Sequence, residues 1–121
     1  MNIETALKEA MSIDGAVGVA LVDYESGMSL GVLGGGPHLD LELAAAGNTE
    51  VVRAKQRTLK SIGVDDEIED ILITLGGQYH LIRPLTKAGG SLFLYLALDR
   101  ARSNLALARH SLRKLEGELE V

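Results

Sequence analysis

Three kinds of residue in this 121-residue chain could carry chemistry: its histidines, a glycine run and a block of carboxylates. His38, His80 and His110 stand far apart, and none belongs to a His-Glu-x-x-His pattern that would hold a metal from one helix face. The nearest acid to His38 is Asp40, two positions on, which puts the pair on different sides of a helix. Gly34-Gly35-Gly36-Pro37-His38 precedes a helical stretch, where backbone amides could cradle a phosphate. The Lys and hydroxyl of a P-loop are missing, and the third glycine of a dinucleotide fingerprint begun at Gly34 would fall on Leu39. The run therefore reads as a strand-to-helix connection. Asp65, Asp66, Glu67, Glu69 and Asp70 lack the central Gly and terminal Glu of a calcium loop, and read as solvated charge. No serine has the Gly-x-Ser-x-Gly setting of an exposed nucleophile. The absence of Cys removes zinc ribbons, iron–sulfur clusters and thiol nucleophiles. No catalytic, cofactor-binding or metal site is expected, and the chain does not read as an enzyme.

The elements that would have to position such groups follow from hydrophobic periodicity. Ile3, Leu7, Ala10 and Met11 recur at helical spacing with Glu4, Lys8 and Glu9 outside, so a short helix runs to about Ser12 and stops near Asp14-Gly15. Residues 16–24 form a nearly continuous apolar run too short for a helix, hence a buried central strand. Glu25-Ser26-Gly27 turns it into a second strand over residues 28–33. A long helix then fits residues 38–62, with Gly63 as its stop. A third strand over about residues 68–75 meets a fourth over 78–85 through Gly76-Gly77, a pair that tolerates positive φ at both positions. Lys87-Ala88-Gly89-Gly90 leads into a fifth strand over 91–98. The last helix, about 101–119, carries Ala101, Leu105, Ala108, Leu112, Leu115 and Leu119 on one side and Arg102, Arg109, Arg113 and Glu116 on the other.

The order is helix-β-β-helix-β-β-β-helix, which specifies an α+β fold: one five-stranded, mostly antiparallel sheet with helices on both faces. The first and fifth strands are apolar throughout and belong in its centre. All of residues 1–121 read as one domain, without linker or repeat. The net charge of −5 is unevenly spread: eight acids and one Lys over residues 1–52, then four bases and no acid over 53–60. The basic blocks carry no interleaved aromatics, so nucleic acid is not an expected partner. The first 11 residues lack a basic start followed by an apolar run, and the longest apolar stretches are far short of the ~20 residues that span a bilayer. A cytoplasmic protein without membrane insertion is the expectation.

What remains is interaction chemistry. The third strand can fall at a sheet edge, and Ile71-Leu72-Ile73-Thr74-Leu75 has neither Pro nor Lys to protect it. Such an edge is paired or covered, because its free amides and carbonyls recruit another strand. Either a second copy pairs with it, or the long helix or a loop covers it within the monomer. Ala44-Ala45-Ala46-Gly47 in the long helix allows close approach, either of another helix or of the helix's own sheet.

These features together resemble the roadblock (dynein light chain-like) family. The stretch from Asp14 through Asp23 with Ser26-Gly27, the Ala-rich helix leading to Val51 and Ile62, and Ile71-Leu72-Ile73-Thr74-Leu75-Gly76-Gly77-Gln78-Tyr79-His80 carry the likeness, with residues 92–98 and Asn104-Leu105-Ala106-Leu107-Ala108-Arg109. The resemblance covers essentially the whole chain. It implies a profilin-like α/β/α sandwich and a non-catalytic scaffold or regulator without cofactors. It also implies a homodimer in which third strands pair and long helices pack side by side, and a small Ras-like GTPase as partner, as for the bacterial gliding-motility regulators. The dimer surface would fall on Ala44, Gly47, Val51 and Leu59 of the helix and on Ile71, Leu72, Ile73 and Thr74 of the strand. If an arginine is offered to the GTPase, Arg53, Arg57 and Arg109 are the exposed candidates. The alternative from another class is a small-molecule sensor with a ligand between sheet and helices.

Overall fold

The computed structural model describes residues 1–86 and 90–120. Its elements are α1 (Ile3–Met11), β1 (Ala16–Asp23), β2 (Met28–Gly34), α2 (Leu41–Ser61), β3 (Ile71–Thr74), β4 (Gln78–Pro84), β5 (Leu92–Asp99), a 3-10 turn (Arg100–Arg102) and α3 (Leu105–Glu118). The five strands form one sheet in the order β2-β1-β5-β4-β3, and every neighbouring pair is antiparallel. The expected "mostly antiparallel" sheet is wholly so.

Alternation along the central strands explains why they read as unbroken apolar runs. Val19 and Leu21 of β1, with Leu94, Leu96 and Leu98 of β5, face α1 and α3, where they meet Leu7, Ala10, Leu112 and Leu115. Ala20 and Val22, with Phe93, Tyr95 and Ala97, face α2 and meet Ala45 and Val52. Both sides are buried, so neither can be polar. Ala20, Ala97 and Ala45 keep the α2 interface thin. β1 and β5 are central, as their composition requires.

Helix boundaries are set by side-chain caps, and these correct two expectations. α2 begins at Leu41, not near His38, because Asp40 accepts from the Leu43 N–H at 3.1 Å. α3 begins at Leu105 because Asn104 caps it through the Leu107 N–H, and Ala101 lies instead in the 3-10 turn. At the other end of α2, Gly63 has φ +76°, its N–H bonds Lys60 O, and the Val64 N–H bonds Leu59 O. That pair of bonds closes the helix in a Schellman motif, for which glycine's freedom at positive φ is needed. Gly34 and Gly35 also have positive φ. The Gly35 N–H is given to Val17 O, and Gly36 exchanges bonds with Leu39, so part of this loop's hydrogen bonding is turned into the protein.

β3 is shorter than expected, four residues rather than eight, because residues 64–70 form no ladder before it. Neither Gly76 nor Gly77 has a positive φ. The turn is held from the 3-10 segment instead: the Arg100 N–H bonds Gly77 O, and the Arg100 guanidinium bonds Leu75 O at 2.8 Å. The turn expected at Lys87-Ala88-Gly89-Gly90 lies, but for Gly90, outside the described residues. No helix among the described residues is long and apolar enough to cross a membrane.

Candidate functional site

β3 is one edge of the sheet and bonds only to β4, with Ile71 opposite Ile82 and Ile73 opposite His80. Side chains alternate across it. Ile71 and Ile73 turn to the α2 side, half-buried against that core, whereas Leu72 and Thr74 are exposed. α2 approaches β1 and β2 most closely and reaches β5 through its core side chains. The α2 side of the sheet is therefore covered at one end, while over β3 and β4 Ile71, Ile73, Gln78 and His80 remain half open.

The eight residues expected at a dimer surface divide accordingly. Ala44 and Val51 of α2 and Ile71 and Ile73 of β3 all pack, half-buried, on the same core cluster. Gly47 is exposed, and a Cβ added to it would meet no atom within 4 Å. Close packing on its own sheet therefore does not explain it; Ala45 is the residue that α2 buries there. Leu59 sits at the far end of the helix, lining a cavity of about 570 Å³ with Tyr24, Val64, Ile68, Leu85 and Asp66. Leu72 and Thr74 belong to the opposite face.

A polar cluster on this half-open side was not foreseen. His80 Nε2 is 2.8 Å from Gln78 Oε1, and its Nδ1 is 3.2 Å from the Tyr95 hydroxyl. The two rings meet edge to face at 5.4 Å. A neutral imidazole protonated at Nε2 satisfies both bonds, donating to Gln78 and accepting from Tyr95. Burial pushes the His80 pKa below its usual value and raises that of Tyr95. The arrangement is a hydrogen-bond chain from Gln78 and His80 of β4 to Tyr95 of β5, with no nucleophile in it. Its sequence signal was weak: polar residues at alternate positions 78 and 80, across β5 from a lone tyrosine.

Of the acids read as solvated charge, Asp65, Asp66, Glu67 and Glu69 are exposed, and Asp70, on the opposite face, is the exception. Glu116, expected on the outer side of the last helix, has a side chain only 8% exposed and accepts from Arg83 Nε at 2.9 Å and from the Thr86 N–H at 3.1 Å. Arg83 is itself buried. Asp70, 11% exposed, takes two bonds from Arg109 at 2.8 and 3.2 Å, and Glu69 takes one from Arg113. The acidic run thus straps the segment before β3 onto α3. Arg109 is occupied by this strap, whereas Arg53 and Arg57 are exposed on α2. Among the described residues no group of three or more His, Asp or Glu could hold a metal ion.

No family model matches the chain, and no curated protein matches it in sequence. Solved structures do. Myxococcus xanthus MglB superposes with a TM-score of 0.76 at 21% identity, covering 94% of this chain and 85% of that one. The Roadblock/LC7 domain from Streptomyces avermitilis gives 0.81 at 13% identity, over 98% and 94%. The gliding protein mglB from Thermus thermophilus gives 0.77 at 17%, over 93% and 82%. With the strand order, the three helices and their placement on both faces of the sheet, these likenesses show that the chain has the profilin-like fold of the roadblock/LC7 domain.

Proposed function

We propose that the chain is a single-domain, non-catalytic regulator or scaffold that works as a homodimer on a small Ras-like GTPase in the cytoplasm. The observation that carries the reading is the half-open α2 side of the sheet, ending in the unpaired β3 edge. A second copy joined through β3 extends the sheet to ten strands and covers Ala44, Val51, Ile71 and Ile73 with the equivalent surface. Full burial of an Ile is worth about 1.5–3 kcal/mol, and pairing removes the free amides and carbonyls from the edge. Leu72 and Thr74 join through the main chain of β3, and Gly47 and Leu59 lie along the approach of a second α2.

The GTPase partner comes from the resemblance to the roadblock family, and the fold shared with MglB supports it. Arg53 and Arg57 remain exposed for such a contact. The test mixes the purified chain with the small GTPase encoded nearest to its gene and follows complex formation, nucleotide hydrolysis and exchange. A complex with an altered rate is expected; no complex and unchanged rates overturn the reading. The cavity of about 570 Å³ beside Leu59 favours a second reading as a ligand sensor. A small-molecule screen by thermal shift would show concentration-dependent stabilisation if that reading holds.

A further inference from the structure

Three of the basic residues of α2 gather on one groove. Arg53, Gln56, Arg57 and Lys60 recur at spacings of three and four, which puts them on one face of the helix. With Tyr24 and Glu25, just past the end of β1, they line a groove of about 390 Å³. Three cations thus meet one carboxylate, in a chain whose net charge is −5. Glu50 comes only to 3.8 Å of Arg53, and Arg57, Lys60 and Glu25 join no ion pair among the described residues. The needs of the helix do not explain the cluster. Its dipole favours a base in the last turn, which accounts for Lys60 but not for Arg53. Arg53 and Arg57 form a like-charge pair at i,i+4, and that weakens a helix. Through Tyr24, Gln56 and Lys60 the groove runs on into the cavity of about 570 Å³, where Leu59, Val64 and Ile68 supply an apolar wall.

We propose that this groove docks a short acidic segment of a partner protein, whose carboxylates lie along Arg53, Arg57 and Lys60 and whose next apolar side chain enters the cavity beside Leu59. The inference needs neither the β3-paired dimer nor the GTPase. Charge complementarity selects the occupant, and the planar fork of each arginine matches a carboxylate with two parallel bonds. The extent of the patch sets the length of the segment. Arg53 to Lys60 covers about 10 Å of helix, the span of roughly three extended residues. Acids bound it on both sides, Glu50 one turn before Arg53 and Asp65, Asp66 and Glu67 beyond Lys60. A nucleic acid strand or a broad anionic membrane would run onto those carboxylates, whereas a few acidic side chains fit between them. The apolar wall beyond Lys60 gives the segment a direction, acids first along α2 and the apolar anchor after them.

The probe is a fluorescein-labelled Glu-Glu-Glu-Leu peptide, followed by fluorescence anisotropy against the full chain. Saturable binding is expected at low salt, weakening as salt is raised, and a Lys-Lys-Lys-Leu peptide should not bind. Arg53→Glu with Arg57→Glu should weaken binding about tenfold or more. Lys8→Glu with Lys114→Glu makes the same change of net charge on the other face of the sheet and should leave it within about twofold. All four positions are exposed, and circular dichroism checks that each variant is folded. If the charge reversal disturbs α2, Arg53→Gln with Arg57→Gln repeats the measurement without it. No saturable binding up to about 1 mM, or equal weakening by the two reversed pairs, overturns the proposal. So does tighter binding, dependent on Arg53 and Arg57, of single-stranded oligothymidylate or of phosphatidylglycerol vesicles. None of these readouts involves a GTPase or the β3 edge, so failure here and failure of the dimeric regulator reading are separate results.

Discussion

The two faces of the sheet are built on opposite plans. On one, α1 and α3 together close the core over Val19, Leu21, Leu81, Leu94 and Leu96, and an ionic strap of Arg83, Glu116, Asp70 and Arg109 seals the β4 end. On the other, a single helix packs most closely on β1 and β2, and the β3 end is left to half-buried isoleucines and a histidine. The closed face spends most of its apolar groups and its buried charges inside the chain. The half-open face keeps some in reserve, and that asymmetry separates the part that makes the protein stable from the part available to another molecule.

The contrast breaks most visibly on the closed face. Glu116→Ala leaves buried Arg83 with only the more distant Asp70, at 4.0 Å, and should lower the unfolding free energy by about 3 kcal/mol in urea titrations. Leu112→Ala, which opens a cavity beneath α3, should lower it by about 2–5 kcal/mol. Neither change should make stability depend on protein concentration more than in the wild type. On the half-open face the expected effect is of another kind. Ile73→Lys should cost about 1–2 kcal/mol of fold stability, since Ile73 is only half-buried, yet shift the chain to monomer in light scattering. An unchanged dimer would move the interface away from β3.

Smaller changes sharpen the same picture. Gly63→Ala puts a Cβ on a residue at φ +76° and should cost about 1–2 kcal/mol by loosening the end of α2 that leads towards β3. The smallest effect is a pH dependence centred on His80. Its folded pKa lies below the ordinary 6.5, so the unfolded chain binds a proton that the folded chain resists. The contribution is fully present above pH 6.5 and is lost as pH falls from there through the folded pKa. His80→Gln should flatten the stability profile in that window; an unaltered slope would mean the imidazole titrates freely.

Much of the fold was legible because period and breakers act locally. The apolar runs 16–24 and 91–98 could only be strands buried on both sides, and Gly63 ended α2 where its positive φ closes the Schellman motif. Boundaries moved where a cap competed with the periodic pattern, at Asp40 and Asn104. The half-open site was legible as an unprotected strand, from Ile71 to Leu75, but its composition was not. Whether Asp70 and Glu116 are solvated or buried depends on Arg83, which lies 33 residues from Glu116, and on Arg109, which lies 39 from Asp70. No spacing rule spans that distance.

By itself, the sequence determined the order of elements, the central place of β1 and β5, the weak edge at β3 and the absence of a catalytic motif, because each follows from residue type within a few positions. Only the tertiary structure decided that α2 packs most closely on β1 and β2, that Gly47 faces outward, and that His80 bonds both Gln78 and Tyr95. These depend on how rigid elements share one sheet, and the extent of cover on each face is a property of the packed whole.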